Sequence, residues 1–352
     1  DLLSAVEQHI LAVDNDANGR RLEEELARRL GVEKCRRVTW PEECKDANDV
    51  LSRYGADRLA QCLADAEAYP VEGLMEVKTI ERLAWDVYEH GLTPGVSTGW
   101  PKVDEKYTVK PGHLTVVSGI PAHGKTSWVQ ALATNHARLH GWRFAMFSPE
   151  DAPLERLVTA LAQRWVGETV MNAYGPRMSP EHFKNALTWL QEHFYFLQPE
   201  ETQVESLEAI LKLADIAVLR HGIRGLIIDP WNEIEHARPR ELTESEYIGK
   251  ALRYIRRWAR AHAVHVWVIV HPTKLYKKDE HSYPVPTLYD CTGSANWRNK
   301  ADNGIIIYRP STEDHDAVEV HVQKIKFLEV GKPGKVDMHY HKATGRFSEA
   351  LL

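Results

Sequence analysis

The stretch SGIPAHGKTSW, Ser118–Trp128, decides the fold of this 352-residue chain. Its spacing, G-x-x-x-x-G-K-[ST], is typical of a loop whose backbone N–H groups curl around nucleotide phosphates. Such a loop joins a strand to the N-terminus of a helix, because the helix dipole favours anions. A β-rich apolar run precedes it at 114–118, and a segment without Gly or Pro follows at 127–140. The positions of the predicted phosphate-binding loop are Gly119, Gly124, Lys125, Thr126 and Ser127.

Two side chains of this loop have separate tasks. Lys125 would reach the β- and γ-phosphate oxygens, and Thr126 would offer its hydroxyl to Mg²⁺. The predicted cofactors are therefore Mg²⁺ and ATP or another NTP or dNTP, since no residue pattern identifies the base. A second acid is needed for the metal at the end of a buried strand, and Asp229 after RGLII is predicted to supply it.

Hydrolysis also needs a group that orients and deprotonates water. The segment RFAMFSPED, 143–151, is the next predicted strand and ends in Glu150 and Asp151. We assign the general base to Glu150, which comes first after the strand, and expect Asp151 to cap the following helix. A further strand, VHVWVIVHP, reaches His271. This histidine would bond the γ-phosphate and report its loss to the next loop; a structural histidine is the alternative.

Composition limits the class of protein. The chain has 43% hydrophobic and 27% charged residues, which is typical of a globular protein with about two domains. No apolar run reaches the about 18–20 residues of a membrane span, and the first residues lack the pattern of a signal peptide. Four scattered cysteines without a C-x-x-C pair disfavour a zinc ribbon and favour a reducing compartment. The net charge of −6 argues against a protein coated with nucleic acid.

Three segments differ in pattern. The pattern of residues 1–69 predicts a small, partial α/β unit. Residues 70–94 are predicted to form a linker with one helix, and residues 95–352 a large α/β domain. Over 79–90 apolar residues recur at helical spacing, which predicts a helix with one apolar face. That face consists of Ile80, Leu83, Ala84, Val87 and Tyr88.

Strands and helices alternate from residue 95 onwards. This alternation predicts a mostly parallel sheet covered by helices. The predicted strands lie in 113–119, 143–150, 194–200, 224–230, 264–272, 303–310 and 317–327.

These residues resemble the ring-shaped primase-helicases of phages and the Twinkle-like helicases of organelles, within the DnaB-like RecA-fold helicases. Five collinear motifs carry the resemblance: SGIPAHGKTSW, FSPED, GLIIDPWNEIEH, VWVIVHPTK and LYDCTGSANWRNKADNGIIIYR. KIKF and HKATGRF are similar to the closing strands of the family. The resemblance implies a RecA-like P-loop NTPase domain in a homo-oligomer, a hexamer or a ring of similar size. Nucleotide sites would lie between subunits and single-stranded DNA in the central hole.

The implied activity is that of a replicative-type DNA helicase. NTP hydrolysis would drive 5′ to 3′ translocation on single-stranded DNA and unwinding at the replication fork. The helix at 79–90 would dock on the neighbouring subunit, and no membrane partner is expected. The cytoplasm of a bacterial or phage-infected cell is the expected location, with an organelle matrix as the other option. Two alternatives stay open: a primase-helicase fragment with residual activity of its N-terminal unit, and a DNA-dependent remodelling or strand-exchange ATPase.

In this family, arginines of the next subunit reach the γ-phosphate. Arg309, in IIIYR, matches one such position. The second lies in KIKF, where the family has Lys-x-Arg and this chain has Lys324 and Lys326. Lysine is a point charge without the planar fork of arginine. The resemblance implies that Arg309 and Lys326 act on the nucleotide of the neighbouring subunit.

Two loops are expected to contact DNA. The loop directly after His271 carries three lysines, which would grip the DNA phosphates. The block GSANWRNK offers a glycine, polar side chains and an aromatic ring for backbone approach, hydrogen bonding and base stacking. Solvated loops are the alternative. The predicted DNA-binding residues are Lys274, Lys277, Lys278, Gly293, Ser294, Asn296, Trp297 and Arg298.

The segment ILAVDNDANG, 10–19, resembles the D-x-D part of a TOPRIM domain, the metal-binding fold of primases and topoisomerases. The resemblance implies that Asp14 and Asp16 bind Mg²⁺ after a strand. A TOPRIM domain also needs a glutamate on an earlier strand, so we expect this chain not to prime by itself. A scaffold with residual acids is the alternative. Because the sequence has no initiator Met, we expect a fragment or a processed product.

Overall fold

The computed structural model divides the chain into two compact units, Asp1–Gly91 and Leu92–Leu352. Each unit has its own buried apolar clusters. The residues that the structure describes are 6–71, 73–172, 175–198, 206–234, 238–273, 283–310 and 316–350.

The N-terminal unit is built on a three-stranded sheet. In chain order its elements are β1 (His9–Leu11), α1 (Ala17–Leu30), β2 (Cys35–Arg37), α2 (Ala47–Ala64), β3 (Glu67–Ala68) and α3 (Val77–His90). β1 pairs with β2 in parallel, and β2 pairs with β3 antiparallel. α2 is two helices joined at a kink, where Gly55 has a φ of +82°. The unit is thus a small α/β fold that ends in a helix.

The helix predicted over 79–90 is present as α3. It ends at Gly91, whose φ of +75° suits glycine. None of its residues is buried, and its apolar side chains include Leu83 at 63% and Tyr88 at 80% exposure. α3 therefore has an apolar face that its own unit does not bury.

The large unit is built on one nine-stranded sheet. Its strands are β4 (Leu114–Ser118), β5 (Phe144–Phe147), β6 (Phe194–Phe196), β7 (Gly225–Ile228), β8 (His265–Ile269), β9 (Asn303–Tyr308), β10 (Ala317–Ile325), β11 (Gly334–His341) and β12 (Arg346–Glu349). Their order across the sheet is β12-β11-β10-β9-β4-β8-β7-β5-β6. The strands from β9 to β6 pair in parallel, whereas β10, β11 and β12 pair antiparallel. The predicted mostly parallel α/β sheet is confirmed.

Burial explains why the parallel strands read as continuous apolar runs. Every residue of β4, β7, β8 and β9 is buried, because helices cover both faces of this part of the sheet. In β10 buried and half-buried residues alternate instead. A continuous apolar run thus marks a strand that is covered on both faces, and alternation marks a strand that is only partly covered.

In the described part of the large unit, seven helices accompany this sheet. They are α4 (Pro101–Asp104), α5 (Lys125–His140), α6 (Leu154–Val166), α7 (Pro180–His193), α8 (Leu207–His221), α9 (Glu244–His262) and α10 (Asn296–Lys300). One apolar cluster joins the sheet to α5, α6 and α7, and a second joins it to α8 and α9. Because β4, β5, β7 and β8 are parallel and in register, their carboxyl ends meet at one edge.

Within the described residues, no helix combines the length and apolar character needed to cross a bilayer.

Candidate nucleotide-hydrolysis site

The phosphate-loop motif joins β4 to α5, as the sequence predicts. Gly119 and Gly124 have φ values of +150° and +90°, a region that L side chains rarely adopt. A Cβ at Gly119 would lie 2.2 Å from the carbonyl oxygen of Ile307 on β9, so the close approach of the two strands requires glycine. Ser127, one position after Thr126, lies half-buried in the first turn of α5. The loop therefore has the backbone shape that the motif demands.

The lysine of the motif points into its own loop. Lys125 is 5% exposed, and its Nζ donates to the carbonyl oxygens of Gly119 at 2.9 Å and Ile120 at 3.3 Å. Burial lowers the pKa of Lys125, while the charges of Asp229 and Glu150 oppose this shift. The ammonium is thus held where phosphate oxygens would be bound.

Asp229 follows β7 at the same edge of the sheet and is 4% exposed. Burial raises its pKa to about 7, although the Thr126 hydroxyl donates a hydrogen bond to its carboxylate and Lys125 lies nearby. A divalent cation would favour the ionised carboxylate, and hydroxyl and carboxylate oxygens are ligands that Mg²⁺ accepts. Thr126 and Asp229 therefore fit a Mg²⁺ site.

Glu150 and His271 come together beside this pair. Glu150 lies in a short 3₁₀ turn after β5, and its side chain is 49% exposed. Its Oε1 is 3.5 Å from Nε2 of His271, which follows β8. The backbone N–H of His271 donates to Oδ1 of Asn232 at 3.1 Å. No pattern in the sequence identified Asn232, although it stands in the same GLIIDPWNEIEH segment as Asp229.

Asp151 does not cap α6, so that expectation is wrong. The helix begins after Pro153, and no side chain caps its first turn. Oδ2 of Asp151 instead accepts a hydrogen bond from Nε2 of Gln130 on α5, at 2.8 Å. Burial raises the pKa of Asp151. This acid is tied to α5, which leaves Glu150 as the acid that contacts His271.

Arg309 lies beside the phosphate loop of its own chain. It follows β9, and its backbone N–H donates to Nδ1 of His123 in the loop at 2.9 Å. Its guanidinium lies 5.4 Å from the centre of the Tyr340 ring. It also lies close to Gly124, because a Cβ placed on this glycine would be 3.6 Å from Nη2 of Arg309. The variable positions of the motif give no signal for His123, and Tyr340 is close only through the pairing of β9, β10 and β11.

Lys326 lies at the other end of β9. Its Nζ is 3.8 Å from Oδ1 of Asp302, the residue before that strand. The six residues of β9 span roughly 20 Å, and Arg309 and Lys326 lie near opposite ends of this strand. The structure does not bring the two cations together within one chain.

Trp297 belongs to the core. It is 0% exposed, and its ring packs edge-on against Trp231 with the centroids 5.3 Å apart. Its Nε1 donates to the carbonyl oxygen of Thr292 at 2.8 Å. The prediction that Trp297 stacks on DNA bases is therefore wrong, because no face of its ring is accessible.

The polar residues next to Trp297 are also tied to the fold. The Ser294 hydroxyl lies 2.7 Å from that of Ser245 on α9, and Nδ2 of Asn296 donates to the carbonyl oxygen of Ser245 at 2.9 Å. Gly293 has a φ of +83°, which starts the turn into this segment. Ser294 and Asn296 thus hold the turn against α9, and this use of their side chains counts against direct contact with DNA.

The remaining predicted DNA contacts include one half-buried cation, Arg298. Nη1 of Arg298 donates to the hydroxyl of Tyr289 at 3.1 Å, and its guanidinium lies 5.0 Å from the centre of that exposed ring. Lys274, Lys277 and Lys278 lie outside the described residues.

In the N-terminal unit, Asp14 and Asp16 share a lysine. Nζ of Lys45 is 3.3 Å from an oxygen of each carboxylate. Asp16 is also the N-cap of α1, and the backbone N–H of Gly19 and then Lys45 lower its pKa. In the described parts of the chain no group of three His, Cys, Asp or Glu side chains could hold a metal. Metal binding by Asp14 and Asp16 stays a prediction.

Comparison with known proteins identifies the large unit. Residues 95–349 match the family model of the DnaB-like helicase C terminal domain. The chain belongs to the DnaB-like helicase family. Residues 1–51 match the Toprim-like family, which agrees with the partial TOPRIM unit expected from the sequence.

Two relatives from Arabidopsis thaliana extend this assignment. The Twinkle homolog protein, chloroplastic/mitochondrial, is 39% identical over 364 aligned positions, which cover 99% of this chain and 51% of the relative. The Primase homolog protein is 43% identical over 77 positions, 20% of this chain and 23% of the relative. The chain thus spans about half the length of the Twinkle homolog. The resemblance to Twinkle-like primase-helicases is confirmed.

Solved structures support the fold of the DnaB-like family. One of them, an ATPase domain, matches 80% of this chain and 100% of its own, with a TM-score of 0.64 and 19% identity. A DnaB-like replicative helicase, studied with its primase interactions, matches 94% of this chain and 76% of its own, with a TM-score of 0.63 and 17% identity. The RecA-like architecture of the large unit is therefore shared with both.

Proposed function

We propose that this chain is the motor of a replicative-type DNA helicase. It hydrolyses ATP, or another NTP or dNTP, with Mg²⁺ and uses the energy to move 5′ to 3′ on single-stranded DNA and to unwind the fork. The observation that carries the proposal is the meeting of Lys125, the Thr126–Asp229 pair and the Glu150–His271 pair at one sheet edge. Membership of the DnaB-like family supports DNA as the track.

The phosphate loop binds and orients the nucleotide. Its backbone N–H groups and Lys125 would surround the β- and γ-phosphates, and Thr126 and Asp229 would hold Mg²⁺. When bound there, Mg²⁺ would neutralise charge on the phosphate oxygens. Lys125 must then exchange its bonds to Gly119 and Ile120 for bonds to phosphate. This exchange keeps the buried ammonium satisfied in both states.

Glu150 takes the proton of the attacking water. Its carboxylate is half-exposed and therefore open to water, whereas Asp151 is fixed to Gln130. His271, 3.5 Å from Glu150, can respond to the γ-phosphate and to the base together. Proton transfer to a positioned carboxylate contributes about 10²–10⁴-fold to such reactions.

The same histidine is linked to the predicted DNA-binding block. The carbonyl oxygen of His271 accepts hydrogen bonds from the backbone N–H of Thr292 at 3.1 Å and from its hydroxyl at 2.9 Å. Gly293 and Arg298 follow Thr292 in the chain. Loss of the γ-phosphate would therefore move this block through His271, and the 274–278 lysines would grip the DNA backbone in the same cycle.

Ring assembly completes the site. We place Arg309 at the nucleotide of its own subunit and Lys326 at that of the neighbour, since the two lie at opposite ends of β9. The exposed apolar face of α3 supports docking on the neighbouring subunit in a hexamer or a ring of similar size. The name of the Twinkle homolog favours an organelle matrix over the cytoplasm.

Forked DNA with a single 5′ or 3′ tail tests the proposal. We expect NTP- and Mg²⁺-dependent strand separation with the 5′-tailed fork alone, and rings in electron micrographs. Glu150→Gln should abolish separation while leaving DNA binding intact. Hydrolysis without separation on either fork would reject the helicase and favour a remodelling or strand-exchange ATPase.

A second candidate function follows from the N-terminal unit. The Toprim-like match at 1–51 and the likeness to the Primase homolog protein favour a piece of a primase-helicase. Incorporation of labelled ribonucleotides on a single-stranded template tests residual activity of this unit. We expect none from this chain, because Lys45 already forms an ion pair with both Asp14 and Asp16.

A further inference from the structure

A cavity of about 270 Å³ lies away from the phosphate loop, between the second half of α5, the end of α6 and β12. Its charged lining consists of Arg138, Arg164, Arg346 and Glu349. Thr134, Asn135 and Ser348 add polar atoms, and Trp100 and Phe347 add aromatic walls. The cavity is thus a cationic pocket that no step of the proposed hydrolysis uses.

The deepest of the three arginines lacks a counter-ion. Arg164 is 6% exposed, and its Nε has no hydrogen-bond partner in the described part of the chain. The carboxylate whose charge reaches it is Asp151, but that group already accepts from Gln130. A buried guanidinium without an ion pair is costly, because burial removes part of its hydration and its Nε gains no acceptor in exchange among the described residues.

The second arginine is fixed by backbone carbonyls rather than by an acid. Nε of Arg346 donates to the carbonyl oxygen of Arg164, and its Nη2 donates to that of Trp165, both at 2.6 Å. Burial and the positive charge of Arg138 both lower the pKa of Arg346. The fold therefore holds like charges together, which is destabilising unless an anion joins them.

The carboxylate in the lining does not neutralise this cluster. Oε1 of Glu349 accepts hydrogen bonds from the backbone N–H groups of Lys102 and Val103, and so caps α4. Among the described residues, no acid lies within ion-pair distance of Arg138, Arg164 or Arg346. With three arginines and one glutamate, the lining carries a net charge of +2.

We propose that this cavity binds a small phosphate-type anion, inorganic phosphate or pyrophosphate. Guanidinium groups match phosphate oxygens with their fork of N–H donors, and three such groups around one cavity suit a multiply charged anion. The volume is close to the lower end of the roughly 300–1,000 Å³ of small-molecule sites, which favours a compact ligand. The inference does not depend on the proposed helicase activity.

The position of the cavity gives its occupant a path to the nucleotide site. Arg164 acts electrostatically on Asp151, the neighbour of Glu150, and Asp151 is bonded to Gln130 on α5. An anion on Arg164 weakens the attraction between Arg164 and Asp151. Inorganic phosphate would come from NTP hydrolysis and pyrophosphate from nucleotide polymerisation, so the preferred anion shows which reaction the site senses.

Calorimetric titration of the full chain with phosphate and with pyrophosphate tests the inference. Lys125→Ala is the background, so that the phosphate loop does not contribute, and NaCl holds the ionic strength constant. The test variant is Arg138→Glu, which reverses an exposed charge of the cavity without disturbing the core. Arg220→Glu is the matched control, because Arg220 is also exposed in the last turn of a helix, α8.

We expect one site per chain for at least one of the two anions. Arg138→Glu should weaken it roughly tenfold or more, since charge-assisted hydrogen bonds are lost and repulsion is added. Arg220→Glu should leave the affinity unchanged. The inference is overturned if neither anion binds at millimolar concentration, or if the two arginine variants bind equally well.

Discussion

The carboxyl edge of the large sheet and the N-terminal unit both place aspartates after a strand, but the surroundings give those acids different chemistry. Asp229 is 4% exposed and lies against Thr126, so burial raises its pKa to about 7. The side chains of Asp14 and Asp16 are 48% and 39% exposed, and Lys45 is shared between them. A carboxylate kept from water favours a metal cation, whereas one already paired in solvent gains less from it. An aspartate after a strand thus favours a metal or a lysine partner according to how deeply the rest of the fold buries it.

Replacing the lysine in each region gives the largest expected contrast. Lys125→Ala should lower NTP hydrolysis by about 10³-fold or more, because a preorganised cation at the γ-phosphate is lost. Lys45→Ala should leave the rate within about twofold of wild type, since Lys45 stands next to acids that take no part in hydrolysis. Phosphate release by both variants, with circular dichroism as the folding control, measures this difference. Equal losses of hydrolysis in the two variants would contradict the different roles assigned to Lys125 and Lys45.

The two regions should also respond to pH with opposite sign. The folded-state pKa of Asp229 is raised from 3.8 to about 7, so its contribution to stability is present below pH 4 and is lost as pH rises towards 7. Urea unfolding without Mg²⁺ should therefore show wild type falling relative to Asp229→Asn between pH 5 and 7. The upper bound of the slope is about 1.4 kcal/mol per pH unit.

Mg²⁺ supplies the control for this prediction. The cation should restore wild-type stability at pH 7 and leave Asp229→Asn unaffected, because the carboxylate that the metal needs is absent from the variant. Parallel pH curves for the two proteins would contradict the assigned burial effect.

The smallest effect is expected at Asp16. Its folded-state pKa is lowered by the N–H of Gly19 and by Lys45, so its contribution to stability is present at neutral pH and is lost as pH falls through the folded-state pKa. Asp16→Ala should lower the Tm by a few degrees at most at pH 7, since a helix cap is lost, and this difference should vanish in acid. A rise in Tm with Mg²⁺ that only the wild type shows would instead indicate a metal site there.

Strand ends explain how much of the site the sequence could predict. Lys125, Asp229, Glu150 and His271 each follow a buried parallel strand, and parallel strands bring their carboxyl ends together whatever the details of packing. The positions of these four residues after predicted strands therefore indicated that their side chains would meet. The prediction for Asp151 failed because the choice between a helix cap and a bond to Gln130 depends on tertiary contact.

The sequence could not show which side chains of a polar segment are buried, or which distant residues come together. GSANWRNK has the composition of a DNA-binding loop, yet Trp297 is buried in the core. There its ring packs against Trp231, and its Nε1 donates a hydrogen bond to the carbonyl oxygen of Thr292. The separation of Arg309 from Lys326 follows from the direction of β9, which the motifs do not encode. The arginine cavity joins residues from 99 to 349, and no local pattern unites them.

The most direct test of the account is NTP hydrolysis by wild type, Glu150→Gln and Asp151→Asn, each with and without single-stranded DNA. We expect hydrolysis that DNA stimulates strongly in the wild type. Glu150→Gln should lower the rate by about 10²-fold or more, and Asp151→Asn should cause a much smaller loss. Undiminished hydrolysis in Glu150→Gln with an inactive Asp151→Asn would place the base at Asp151, and a rate insensitive to DNA would contradict the motor.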